Sequence, residues 1–221
     1  RSLADAETAA EIDEVVKATD LAALYDPERG LMRIGVETVS KRYDGHYDLI
    51  ASESAILYLV GAGLGKIPRV SWKNLSRRKA VSYGKEAFVS WTGGAFEYLM
   101  PPLFFGYEKG TALYSSARAA AFSQVCYGRK SPYFGVSESI YAEREDNGDY
   151  KYKASGVPSL ALSENAEGSA FSPYACALTL PFFAGEACAS LEEFERRGVR
   201  GRFGFFDAID GEPLRCCIIR E

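Results

Sequence analysis

Histidine is almost missing: His46 is the single copy in 221 residues. A multi-histidine zinc site is therefore not expected, and a Ser-His-Asp triad would have one base to draw on. Positive charge is in short supply too. The net charge is -4 and the pI near 5.3, which leaves no basic excess for a phosphate backbone, so nucleic acid is not an expected partner. No uninterrupted apolar run reaches the roughly 20 residues of a membrane span, and no basic, apolar, small-residue leader opens the chain. The cysteines Cys126, Cys176, Cys188, Cys216 and Cys217 are odd in number, two are adjacent, and none has zinc-ribbon or disulfide-framework spacing. They read as reduced, hence a soluble, cytoplasmic chain, with neither metal nor organic cofactor expected. The start inside a helical pattern and the close on Cys216-Cys217-Ile218-Ile219 suggest an excised piece of a longer polypeptide.

Aromatic residues, by contrast, are plentiful: 14 Tyr, 13 Phe and 2 Trp. Tyrosine can fill a core or stack on a sugar face while bonding through its hydroxyl, and composition does not separate the two uses. From 4 to 18, Ile12, Val15 and Val16 share one face among acids, an amphipathic helix. Pro27 and Gly30 turn the chain before a short extended piece at 32–39. The apolar stretch 49–64 predicts a buried helix starting near Asp48 and ending at Gly63 or Gly65, with Glu53 as its only charge. A basic link at 73–79 follows. Residues 95–105 predict a helix kinked or ended by Pro101-Pro102, with Glu97 its lone charge, and 113–127 predicts an Ala-rich third. A long Tyr-rich loop at 128–171 is expected to carry function. Helices at 173–184 and 191–197 close the series, the second with Ser190 and Glu193 in capping-box spacing. About six helices with at most short strands make the class mainly α, one domain of stacked helical hairpins over 1–221.

A carboxylate inside an apolar segment is costly to keep charged. Glu53, Glu97 and Glu138 are the three to weigh, because glycosidic cleavage needs one carboxyl to protonate the leaving oxygen and another to attack C1 or activate water. Each has a bland alternative. Glu53 would bond a Tyr or Arg of a neighbouring helix, and Glu138 in Gly135-Val136-Ser137-Glu138-Ser139 would answer a helix dipole at a loop-to-helix junction. Glu97 would hold the Gly93-Gly94 backbone, the more economical role for it. Trp91 beside Thr92-Gly93-Gly94 suits a sugar platform or a core equally well. For Tyr133, Tyr141, Tyr150 and Tyr152 a wet cleft is favoured over a core, since burying four hydroxyls without partners is unfavourable. Gly61, Gly63 and Gly65 fall at a helix end and do not support nucleotide binding.

Three blocks in order, Tyr47 to Glu53, Val89 to Pro101 and Gly135 to Tyr141, resemble the glycoamylase-like domain of cyclic β-1,2-glucan synthases. Tyr150 to Pro158 and Arg200 to Asp210 extend the likeness, which runs from about Leu24 to Asp210. The resemblance implies an (α/α)6 toroid, here a partial barrel, since twelve helices complete a toroid and about six are counted. It implies transglycosylation closing a linear β-1,2-glucan into a ring, or hydrolysis as in related stand-alone enzymes. A non-catalytic glycan-binding domain is the remaining alternative. Glu53 and Glu138 are implied as the catalytic pair, Glu138 as general acid/base and Glu53 as nucleophile, with Tyr47, Asp48, Trp91, Glu97, Tyr141 and Tyr152 as substrate-binding residues. The implied partners are the β-glucan oligosaccharide, flanking glycosyltransferase and phosphorylase-like domains of an inner-membrane protein, and a second copy through the exposed inner face.

Overall fold

A computed structural model describes residues 5–210 and the short strand at 215–217. The described residues fall into two compact units, 5–48 with 56–75, and 49–55 with 76–217.

The first unit opens with α1 (Ala6–Ala18), capped by Asp5, whose carboxylate accepts from Thr8 N–H at 2.8 Å. The helix expected there forms, and Ile12, Val15 and Val16 are all exposed on it. A three-stranded antiparallel meander follows: β1 (Tyr25–Asp26), β2 (Leu31–Arg33) and β3 (His46–Tyr47). Asp26 holds its first turn. One carboxylate oxygen accepts from the amides of Glu28 and Arg29 at 3.0 and 3.2 Å, and the other meets His46 Nε2 at 2.9 Å and Arg33 at 3.2 Å. The His46 hydrogen bond, ahead of those amides, holds its carboxyl below the ordinary range. The lone histidine is thus part of a structural pair. In the same unit Tyr58 lies in α2 (Ala55–Gly63), fully buried. Its hydroxyl accepts from Met32 N–H at 2.8 Å and donates to Tyr47 C=O at 2.7 Å, and burial pushes its phenol up to about 12.

The apolar helix does not begin where hydrophobicity alone placed it. Residues 49–54 are irregular and α2 starts at Ala55. Ser52 is the reason: its hydroxyl accepts from Ser54 N–H at 3.2 Å and its carbonyl from Ala55 N–H at 3.1 Å, a local turn that competes with helix. Glu53 is therefore a turn residue and not the charge of a helix interior.

In the second unit, β4 (Lys79–Ser82) and β5 (Lys85–Phe88) form a hairpin through Tyr83-Gly84, both at positive φ, as a two-residue turn requires. Short helices α3 (Ala95–Leu99) and α4 (Pro101–Phe105) are separated at Met100 by the Pro pair. Helix α5 (Ala112–Tyr127), close to its expected bounds, packs against β5 and α3, and its Ser116 hydroxyl accepts from Phe88 N–H at 3.0 Å.

The Tyr-rich stretch is not one loop. It contains a bulged antiparallel hairpin, β6 (Ser139–Arg144) with β7 (Tyr150–Lys153), so Glu138 precedes a strand where a helix was expected. Helix α6 (Pro173–Ala177) is short because Pro181 follows in the turns after it, and α7 (Ala184–Arg196) starts seven residues before the helix expected at 191. Ser190 is thus interior to α7 and caps nothing. Its buried hydroxyl accepts from Phe134 N–H at 3.1 Å, while Glu193 pairs with Arg196 and Arg197. Phe134, Cys176, Ala187, Phe194, Val199 and Ile209 form the core around these helices. Hairpin β8 (Arg200–Gly201) with β9 (Gly204–Phe205) and the pair β10 (Ala208–Asp210) with β11 (Arg215–Cys217) complete the unit.

Among the described residues the seven α-helices hold more residues than the eleven short strands, with more strand than a purely helical expectation allows. No helix among them is long and apolar enough to cross a membrane. Cys126, Cys176 and Cys188 are free thiols; the side chains of Cys216 and Cys217 lie outside the described residues, as do Ile218 and Ile219.

Candidate active site

Glu53, Trp91, Glu97, Glu138, Tyr141 and Tyr152 all belong to the second unit; Tyr47 and Asp48 belong to the first. Tyr47 is half-buried on β3 with its carbonyl taken by Tyr58, and Asp48 after it is exposed.

The turn carrying Trp91 is built around one carboxylate. Glu97, 7% exposed, accepts from five donors: the Ser90 hydroxyl at 2.9 Å, Trp91 N–H at 2.9 Å, Thr92 N–H at 3.1 and 3.2 Å, the Thr92 hydroxyl at 2.7 Å and Gly94 N–H at 2.9 Å. The turn is clamped from outside as well. Gln124 of α5 donates to Gly93 C=O at 3.3 Å and to Val136 C=O at 2.9 Å, and accepts from Val136 N–H at 2.8 Å. Gly93 has φ +73, and a side chain at Gly156 would overlap the backbone of Gly93 and Gly94. Trp91 projects from this rigid base with 62% of its surface open, so it is no core residue.

The same scaffold fixes the Glu138 segment. Ala95 N–H donates to Val136 C=O at 3.0 Å, Phe96 N–H to the Ser137 hydroxyl at 3.1 Å, and the Ser155 hydroxyl to Ser137 C=O at 2.9 Å. Glu138 receives a hydrogen bond from the Tyr152 hydroxyl on its side chain and one from Tyr174 at 2.7 Å on its carbonyl. The Tyr152 ring is 60% exposed; desolvation of its hydroxyl, then the bond to Glu138, raises its phenol above the ordinary range. Burial does the same to Tyr174.

Glu53 is partly buried, with the Ser52 hydroxyl donating to it at 3.1 Å. Burial raises its carboxyl above the usual carboxylate range, and the negative charges of Glu97 and Glu138 push the same way. Two acids 44 and 85 positions further along the chain are thus within electrostatic reach of Glu53.

Two of the four tyrosines expected in a wet cleft, one of them the expected ligand Tyr141, are otherwise placed. Tyr141 is 8% exposed and bonds Ser155 at 3.2 Å beside Ala170 and Ala208, and Tyr133, 9% exposed, stacks on Phe194 at 4.8 Å between centroids. Both are core residues, Tyr141 on the buried side of the alternating β6 and Tyr133 in the cluster around Phe194. Tyr150 and Tyr152 are the pair left to solvent. Glu97, grouped above with the substrate ligands, has both oxygens engaged by its own turn. Gln124 and Tyr174 gave no signal in the sequence, since each acts on backbone far away along the chain.

The family model described as "Putative glucoamylase" matches residues 45–214. The chain belongs to this glycoamylase family. It is 31% identical over 218 residues to the cyclic beta-(1,2)-glucan synthase NdvB of Rhizobium meliloti (strain 1021), covering 94% of this chain and 8% of that protein. Among solved structures it resembles the endo-beta-1,2-glucanase from Chitinophaga pinensis, solved with sophorotriose and glucose, with TM-score 0.68 and 16% identity over 91% of this chain and 52% of that one. It also resembles a beta-1,2-glucanase from Parabacteroides distasonis, with TM-score 0.66 and 13% identity over 93% of this chain and 35% of that one. At such identities the likeness is one of fold. The chain spans about half, or less, of the length of these relatives.

Proposed function

We propose that this domain cleaves and re-forms β-1,2-glucosidic bonds, with Glu53 and Glu138 as its reacting carboxyls. The observation that carries the proposal is the setting of Glu53: a partly buried carboxyl whose hold on its proton is strengthened by burial and by the charges of Glu97 and Glu138, whereas Glu138 is hydrogen-bonded by Tyr152. Glycoside cleavage needs two carboxyls in unlike environments. The exposed Trp91 on its braced turn supplies a flat apolar face for a sugar ring.

These environments favour a division of labour opposite to the one implied by resemblance. Glu53, the carboxyl that burial makes the weaker acid, donates a proton to the glycosidic oxygen as the C1–O bond breaks. For a re-formed β bond Glu138 bonds to C1 as the leaving oxygen departs, and the incoming sugar hydroxyl then displaces Glu138 from C1 while passing its proton to Glu53; with water as acceptor, Glu138 can instead withdraw the proton of that water in a single displacement. Identity to a named synthase supports a sugar hydroxyl as the acceptor, hence ring closure, and with it an (α/α)6 architecture to which these helices contribute.

Linear β-1,2-glucan supplied to the full-length protein should give products lacking one water relative to linear chains of equal length, with no rise in reducing ends. Linear products with new reducing ends would make water the acceptor. Glu53→Gln and Glu138→Gln should each lower turnover by about 10³-fold. An aryl β-glucoside with a good leaving group should restore much of it in Glu53→Gln only, since that substrate needs no acid. Unchanged turnover in both variants would overturn the pairing.

A further inference from the structure

We propose that Glu97 is a positioning residue of this reaction: one carboxylate fixes the turn that presents Trp91 to the sugar and biases the proton on Glu53. The inference rests on the pairing of Glu53 with Glu138 proposed above.

The first half follows from the donor set. Five donors from four residues, Ser90, Trp91, Thr92 and Gly94, converge on the two oxygens, and Trp91 contributes its own amide. A ring 62% open to solvent has little packing of its own to hold it. Its backbone is instead tied on one side to Glu97 and on the other by its carbonyl, which accepts from Ser163 N–H at 2.9 Å. The platform is thereby ordered before any ligand arrives, which spares the entropy of ordering it on binding.

The second half follows from where that carboxylate lies: Glu97 lines one small cavity together with Ile50 and Ala51, which lead into the Ser52-Glu53 turn. The titratable groups around it are Glu53, Glu138 with Tyr152 and Tyr174 bonded to it, Tyr98 on α3 itself, whose phenol burial raises above the ordinary range, and Tyr107, which burial pushes up to about 12. The other groups lining the space between α3 and α5, Ser116 and Ala117 among them, are uncharged. Donors that fix Glu97 do not screen its field as water would, so the repulsion on an ionised Glu53 persists.

Two substitutions in the full-length protein separate the halves. Glu97→Asp keeps the charge but shortens its reach: KM for linear β-1,2-glucan should rise about tenfold or more, with the pH profile of kcat/KM in place. Glu97→Gln removes the charge at nearly constant shape: the alkaline limb of kcat/KM, set by loss of the acid's proton, should move to lower pH. Thr92→Val, which deletes one hydroxyl donor and leaves the charge, is the mild variant expected to fold in any event, and should raise KM without moving the limb. An unmoved limb in Glu97→Gln, or an unchanged KM in both Glu97→Asp and Thr92→Val, would overturn the inference while leaving the pair intact. Full turnover in Glu53→Gln overturns the pair instead.

Discussion

The Ser52-Glu53-Ser54 turn and the Ser90–Glu97 turn begin from similar material, a serine-bearing bend that delivers a glutamate ahead of or into an apolar helix. Their outcomes are opposite. Glu97 collects five donors and is buried, while Glu53 has its own amide and the Ser52 hydroxyl against two repelling acids. A carboxylate whose lone pairs are filled by its own backbone stabilises that backbone; one that is desolvated without such donors holds its proton and is ready to give it away. Burial alone does not mark a reacting acid, and the count of donors around it separates the two.

The largest test of that contrast is deletion. Glu97→Ala strands three amides and two hydroxyls in a closed turn, and should cost about 4 kcal/mol or more in chemical denaturation. Glu53→Ala should change stability far less. Comparable losses in the two variants would erase the distinction. The next test is the pH dependence of stability. Because the folded carboxyl of Glu53 titrates above its unfolded value, its contribution is fully present below the unfolded pKa and is lost as pH rises through the folded one. Glu53→Gln should therefore unfold at higher denaturant than wild type at neutral pH, and the gap should close on acidification below the ordinary glutamate range. A gap that widens towards acid pH would mean that Glu53 gains a partner on folding.

A finer comparison lies within the aromatics. Trp91→Ala should weaken glucan binding about tenfold to a hundredfold while leaving stability within about 0.5 kcal/mol, because the ring stands in solvent. Tyr133→Ala, which empties a site between Phe171 and Phe194, should cost about 3 to 5 kcal/mol. Calorimetric titration and denaturant midpoints read the two effects apart.

Part of this was legible in the residue pattern. The α5 helix and the break at Pro101-Pro102 followed from Ala content and ring sterics, and the clamp role of Glu97 from a lone acid three residues after a glycine pair. The turn at Ser52 was not, because a short polar residue in an apolar run competes with helix through hydrogen bonds that hydrophobicity does not register. The split of the tyrosines was hidden for a different reason. Tyr133 and Tyr141 differ from Tyr150 and Tyr152 in what lies beneath them, Phe194 and Ser155 from far along the chain, and not in their own neighbourhoods of sequence.

The smallest effect concerns the serines that directly follow the two acids proposed to react. Ser54 and Ser139 are buried with hydroxyls that have no hydrogen-bond partner among the described residues. An unpaired buried hydroxyl costs about 1 to 3 kcal/mol, and replacement by Ala removes it without breaking a bond. Ser139→Ala should therefore raise stability by about 0.5 to 1 kcal/mol and leave turnover within about twofold of wild type. A tenfold fall in turnover with the fold intact would mean that the hydroxyl is used during the reaction. The shortage of partners that sets Glu53 apart from Glu97 would then extend to the residues beside the acids.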